Sequence, residues 1–146
     1  MDDILIRMMQ LSQKGYACSQ ILILLALEAR ASSNADLVRA MAGIAYGCGT
    51  GRATCGTLTG GCCLLALFAA KGEDDETASN RFMLMQQELS DWFEDQVGRQ
   101  HGGITCESIT GDAGPAASRQ VCGQIVADTY AKVMSILADN GFEPYE

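Results

Sequence analysis

Residues 54–70 read TCGTLTGGCCLLALFAA, and the second half of this stretch decides the fold. From Cys62 to Ala70 nine consecutive residues are apolar, far short of the roughly 20 that cross a bilayer. A helix of this kind is instead enclosed by others. Thr54 is a cap residue for a helix over Cys55–Ala70, which the pattern makes the central element of the domain. The glycines before the apolar run leave the backbone open to close approach, and three thiols stand among them.

Hydrophobic spacing places other helices on both sides. Ile4, Leu5, Met8, Met9 and Leu11 form one apolar side of a helix over Asp2–Gln13, which ends at Lys14 and Gly15. A second starts at Ala17 or Cys18 and runs through ILILLALEAR, and SSNAD supplies cap residues for a third over Ala35–Tyr46. The acidic turn GEDDET opens a fifth, Glu76–Val97, since carboxylates in a first turn suit the helix dipole. After a long irregular connection over residues 98–118, a last helix spans Ser118–Asn140 with Gly141 as terminator. The expectation is one all-α domain over residues 1–146, a bundle of about five to six helices around the segment at 55–70.

A net charge of −8 without a basic cluster argues against nucleic acid as a partner. The opening MDDILIRMMQLSQKG has two acids where a secretory signal needs a basic end, so the chain is read as cytoplasmic. Seven cysteines are then held in a reducing compartment where structural disulfides are rare, which turns attention to metal binding or redox chemistry. No CxxC occurs, so neither a thioredoxin-type pair nor a zinc ribbon is present. GCGTG at 47–51 lacks the preceding strand and third glycine of a dinucleotide loop.

The thiolate is the ligand and nucleophile, and a helix N-terminus favours it through partial positive charge and unpaired N–H groups. Cys18, Cys55 and Cys122 fall near expected helix starts, while Cys48 and Cys106 lie in glycine-rich loops. Cys63 reads as a small core residue, and Cys62 is divided between core and chemistry. His101, the only histidine, is five residues before Cys106; a loop histidine is its simpler reading, a ligand or proton carrier the sharper one.

The order Cys18, CGTLTG at 55–60, Cys106 and Cys122, with YACSQ at 16–20 and the glycine-rich approach to the motif, resembles the C_GCAxxG_C_C redox family. Thr57 stands where that family has alanine. The family is similar to the iron-sulfur part of split-Soret cytochromes, so the resemblance implies a helical domain whose Cys18, Cys55, Cys106 and Cys122 are ligands or redox thiols. Without CxxCH it implies no covalent haem.

The leading expectation is therefore an iron-sulfur protein for electron transfer or redox sensing, with Cys18, Cys55, Cys106 and Cys122 as metal ligands and Cys48 as first alternate. It brings with it a protein redox partner and a possible homodimer. Two alternatives stand beside it. One is a thiol-disulfide oxidoreductase in which Cys55 attacks and Cys106 or Cys122 resolves; the other is a structural zinc or partner-binding module.

Overall fold

The computed structural model describes residues 2–114 and 118–143, and these form seven helices with no strand among them. The helices are α1 (Asp2–Gln13), α2 (Cys18–Ala29), α3 (Ala35–Met41), α4 (Gly56–Ala69), α5 (Phe82–Phe93), α6 (Cys106–Thr110) and α7 (Arg119–Asp139). The all-α expectation holds, and so do the positions of α1, α2, α4 and α7. Asn34 caps α3 as its chemistry predicts, its side chain accepting the Leu37 N–H at 3.1 Å.

The apolar stretch is indeed the centre. Leu64 and Leu65 of α4 are completely buried, and Leu22 of α2, Leu89 and Phe93 of α5, and Val133 and Leu137 of α7 close around them. A smaller second core joins Ile23 and Leu27 of α2 to Val38 and Met41 of α3. α4 can serve two partners at once because two adjacent glycines interrupt the side chains of its first half. A Cβ on Gly60 would meet Ser19 Cα at 3.0 Å, and one on Gly61 would meet Leu89 Cδ2 at 3.0 Å and Thr129 Cγ2 at 3.2 Å. Two adjacent glycines thus seat α2 on one side and α5 with α7 on the other.

Several local expectations are corrected. Thr54 does not cap α4: Cys55 is its N-cap, without a side-chain hydrogen bond, and Thr54 instead forms an antiparallel bridge with Thr105. The fifth helix begins at Phe82 rather than Glu76, because the acidic turn closes on itself. There the Glu76 carboxylate accepts the N–H groups of Gly72 and Glu73 at 2.7 and 2.8 Å, while Lys71 Nζ donates to the carbonyls of Asp74 and Glu76 at 2.7 Å each. α5 passes through a wider turn at Glu94–Gly98 and ends at His101, so the connection expected over residues 98–118 is shorter than the sequence implies. It also holds a helix of its own, α6, whose cap Thr105 accepts the Ser108 N–H at 3.1 Å.

The third helix stops at Met41 instead of reaching Tyr46. A short 3-10 turn follows at Ala42–Ile44, and then Tyr46, Gly47 and Cys48 all take left-handed backbone angles, with φ of 56°, 59° and 56°. Side-chain residues rarely adopt this conformation, at a cost of roughly 1–2 kcal/mol each. Gly47 is fixed there by crowding as well, since a Cβ would come within 2.8 Å of the Ala53 carbonyl oxygen.

Chemical denaturation of Gly60→Val should show a loss of about 1–3 kcal/mol or more, the usual range for overpacking a filled core. Gly43→Ala should stay within about 0.5 kcal/mol of the parent, because nothing lies within 4 Å of the added methyl.

Candidate functional site

The site is assembled by three short-range devices. First, the segments at 51–55 and 104–107 pair: Cys55 N–H donates to the Ile104 carbonyl at 2.7 Å, Cys106 N–H to Ala53 at 3.2 Å and Glu107 N–H to Gly51 at 2.8 Å. This pairing sets the buried Cys55 and Cys106 side by side at the starts of α4 and α6. Second, Gly56 lets α2 come against α4, for a Cβ at that position would lie 3.1 Å from Cys18 Sγ and 2.8 Å from the Ile44 carbonyl oxygen. Third, Ser118 Oγ donates to the Thr110 carbonyl at 3.1 Å, joining the start of α7 to the end of α6. Cys122 sits one turn further on and donates its N–H to the Ser118 carbonyl at 2.9 Å.

Cys18 is held from the α3 side. Ser19 Oγ donates to the Met41 carbonyl at 2.7 Å, and Gln20 ties the Ala17 N–H at 3.0 Å to the Val38 carbonyl at 3.1 Å. The Thr57 hydroxyl and the N–H groups of Ser19 and Tyr46 are close enough to its sulfur to offset part of the rise that burial imposes on the thiol. The Tyr46 donor belongs to the left-handed turn, so the strained backbone has a local outcome: it presents an amide to a sulfur.

The four cysteines of the family pattern all line one cavity of about 920 Å³. Thr57 and Thr110 line it too, and the Thr110 hydroxyl donates to the Cys106 carbonyl at 2.8 Å. The remaining three cysteines lie elsewhere. Cys48 is exposed on the left-handed turn, Cys62 packs on the main core near Gln86 and Ser90, and Cys63 packs on the smaller core; none lines the cavity. His101 is also outside it, half-buried at the end of the α5 extension. The half-buried positions of Cys62 and Cys63 mean that neither is a fully enclosed core residue.

All seven thiols are free. Burial pushes Cys18 and Cys106 upward, and the nearby Cys55 adds to both shifts. Cys122 rises furthest, from an ordinary value of 9.0 to about 11, through burial first and then through Cys55, Cys18 and Cys106. Cys122 thus lies within electrostatic reach of the other three sulfurs, and Cys55 within reach of Cys18 and Cys106. Among the described residues no group of three or more His, Cys, Asp or Glu side chains is gathered tightly enough to hold a metal ion. Nor, among them, is any helix long and apolar enough to cross a membrane.

The described residues thus form a helical domain in which four cysteines line one cavity. The family is shown directly: the profile described as Putative redox-active protein (C_GCAxxG_C_C) matches residues 16–136, and the chain belongs to this family. Comparison with curated proteins gives no significant match, and comparison with solved structures gives none either.

The raised thiol of Cys122 has a consequence for stability. A group whose pKa is higher folded than unfolded stabilises the fold below the unfolded value and loses that contribution as pH passes the folded one. Metal-free protein should therefore lose stability between pH 9 and about 11, and Cys122→Ser should flatten that loss in denaturation curves recorded across the range.

Proposed function

We propose that the protein carries an iron-sulfur cluster on Cys18, Cys55, Cys106 and Cys122 and uses it for electron transfer or redox sensing. The observation that carries this reading is the sorting of the cysteines: four line the cavity and three do not. The donor set suits such a group, because four thiolates satisfy a two-iron or a four-iron cluster. Ligand sulfurs surround a cluster instead of closing on a single ion, which agrees with a spread of thiols around a cavity. Cluster chemistry supplies one-electron exchange when the group is bound.

The protein's own residues would tune that chemistry. Hydrogen bonds to the sulfurs raise the potential of a cluster, and Thr57, Ser19 and Tyr46 hold donors close to the Cys18 sulfur. Metal binding must displace thiol protons, so the burial that raises Cys18, Cys106 and Cys122 makes loading favourable at alkaline pH and opposed by acid. The same burial weakens the case for Cys106 or Cys122 as a free thiolate that resolves a disulfide. The reading extends to a cytoplasmic setting and a protein partner for electron exchange. The exposed Met83 and Leu84 on α5 offer a face on which a homodimer can form.

The test is an absorption spectrum of anaerobically purified protein, with iron, acid-labile sulfide and zinc quantified per chain. Broad visible absorption and matched iron and sulfide are expected, lost in Cys18→Ser, Cys55→Ser and Cys106→Ser and retained in Cys48→Ser, Cys62→Ser and Cys63→Ala. Colourless, metal-free protein whose thiols oxidise reversibly would replace this reading with thiol-disulfide exchange. Zinc without sulfide would replace it with a structural zinc module.

A further inference from the structure

The cavity has a side that the thiols do not use. Helix α1 contributes Leu5, Met8, Met9, Ser12 and Gln13 to the lining, and none of these carries a thiol. Facing them are Ile125 and Val126 of α7 and Ile21 of α2, all buried, so that this half is an apolar chamber. The wall is built into the fold: Leu11 and Met8 anchor α1 in the core, and Arg7 Nη2 pairs with Glu28 Oε2 of α2 at 2.7 Å.

Two properties define what fits there. The total volume of about 920 Å³ lies at the upper end of the ~300–1,000 Å³ of small-molecule sites. Among the described residues, no Lys, Arg, His, Asp or Glu lines it. A charged molecule bound against this lining would find no side chain of opposite charge, which favours neutral ligands over ionic ones. The polar side chains of the lining are all neutral and include Ser12, Gln13 and Gln120 near the ends of α1 and α7, together with Tyr16, Tyr46, Thr57 and Thr110. These can hydrogen-bond a carbonyl or hydroxyl without neutralising a charge.

We infer that the α1 side of the cavity is a binding site for an uncharged, largely apolar small organic molecule that can accept or donate a hydrogen bond. The four thiols lie in the same cavity, so the bound molecule would stand beside the redox groups of the protein. This inference does not depend on the cluster, because the α1 wall is the same whether the thiols hold metal or are free.

The test uses the full-length protein and the neutral naphthalene dye prodan, titrated by fluorescence both in protein as purified and after removal of any metal. Saturable uptake of one dye per chain with a blue-shifted emission is expected in both samples. Met9→Glu and Gln13→Glu each bring a carboxylate to the lining, and both residues are exposed enough to leave the helix intact. Each should weaken the dye severalfold, because a hydrated carboxylate holds water against lining that the apolar molecule would otherwise cover. Leu84→Glu, on the remote exposed face of α5, should leave binding unchanged. The anionic dye anilinonaphthalene sulfonate should bind at least about tenfold more weakly than prodan. The site is overturned if prodan uptake does not saturate, if it survives both carboxylate variants while circular dichroism shows them folded, or if Leu84→Glu abolishes it. Equal binding of the anionic dye would overturn its neutral character. Loss of visible absorption with retained dye binding would sink the cluster and leave this site standing.

Discussion

Close approach of α2 to α4 is the constraint on which the rest of the structure depends. At Gly56 and Gly60 the α4 backbone comes so near Cys18 Sγ and Ser19 Cα that a single methyl group would collide with either. These glycines are one helical turn apart and so share a face. Gly60 brings in the helix and Gly56 brings in its sulfur, which means that packing and site are produced by one stripe of missing side chains. A larger residue there would separate the core and the cavity wall together.

A second level of organisation is the pairing of residues 51–55 with 104–107. It uses main-chain hydrogen bonds only, and it places two buried cysteines where their elements begin. The left-handed turn at Tyr46–Cys48 packs into the same region, with Gly47 confined between the Ala53 carbonyl and Cys106 Cβ. Non-glycine residues in that conformation persist when their surroundings over-determine them, and such strain concentrates at functional sites. Here the strained turn, the bridge and the glycine stripe meet at one set of sulfurs.

Much of this was legible in the residues themselves. The unbroken apolar run of α4, the period of α1 and the cap at Asn34 act locally, and local signals survive in a sequence read alone. The four cysteines that share the cavity were singled out by their order in the chain and a family resemblance, not by spacing. Thr54 was misread because its partner is Thr105, far along the chain, and a threonine before a helix looks the same whether it caps or bridges. Glu76 was misread for a similar reason: an acid placed to suit a helix start instead accepts two N–H groups from a closed turn. The left-handed Tyr46 leaves no mark in composition, since tertiary packing alone holds it there. The shared chamber beside α1 is also a product of assembly, because its walls come from both ends of the chain.

The bridge between Thr54 and Thr105 also bears on the order of events as the protein forms. Contacts between distant residues must overcome loop-closure entropy before they are rewarded, and they form later than neighbouring helical turns. Cys18, Cys55, Cys106 and Cys122 are spread along the chain, so no nascent fragment shorter than 122 residues contains the complete thiol set. A zinc finger can assemble around its ion because its ligands are close in sequence. This chain has the opposite arrangement: its helical scaffold has to close first, and the chemistry of the cavity is the last thing that folding makes.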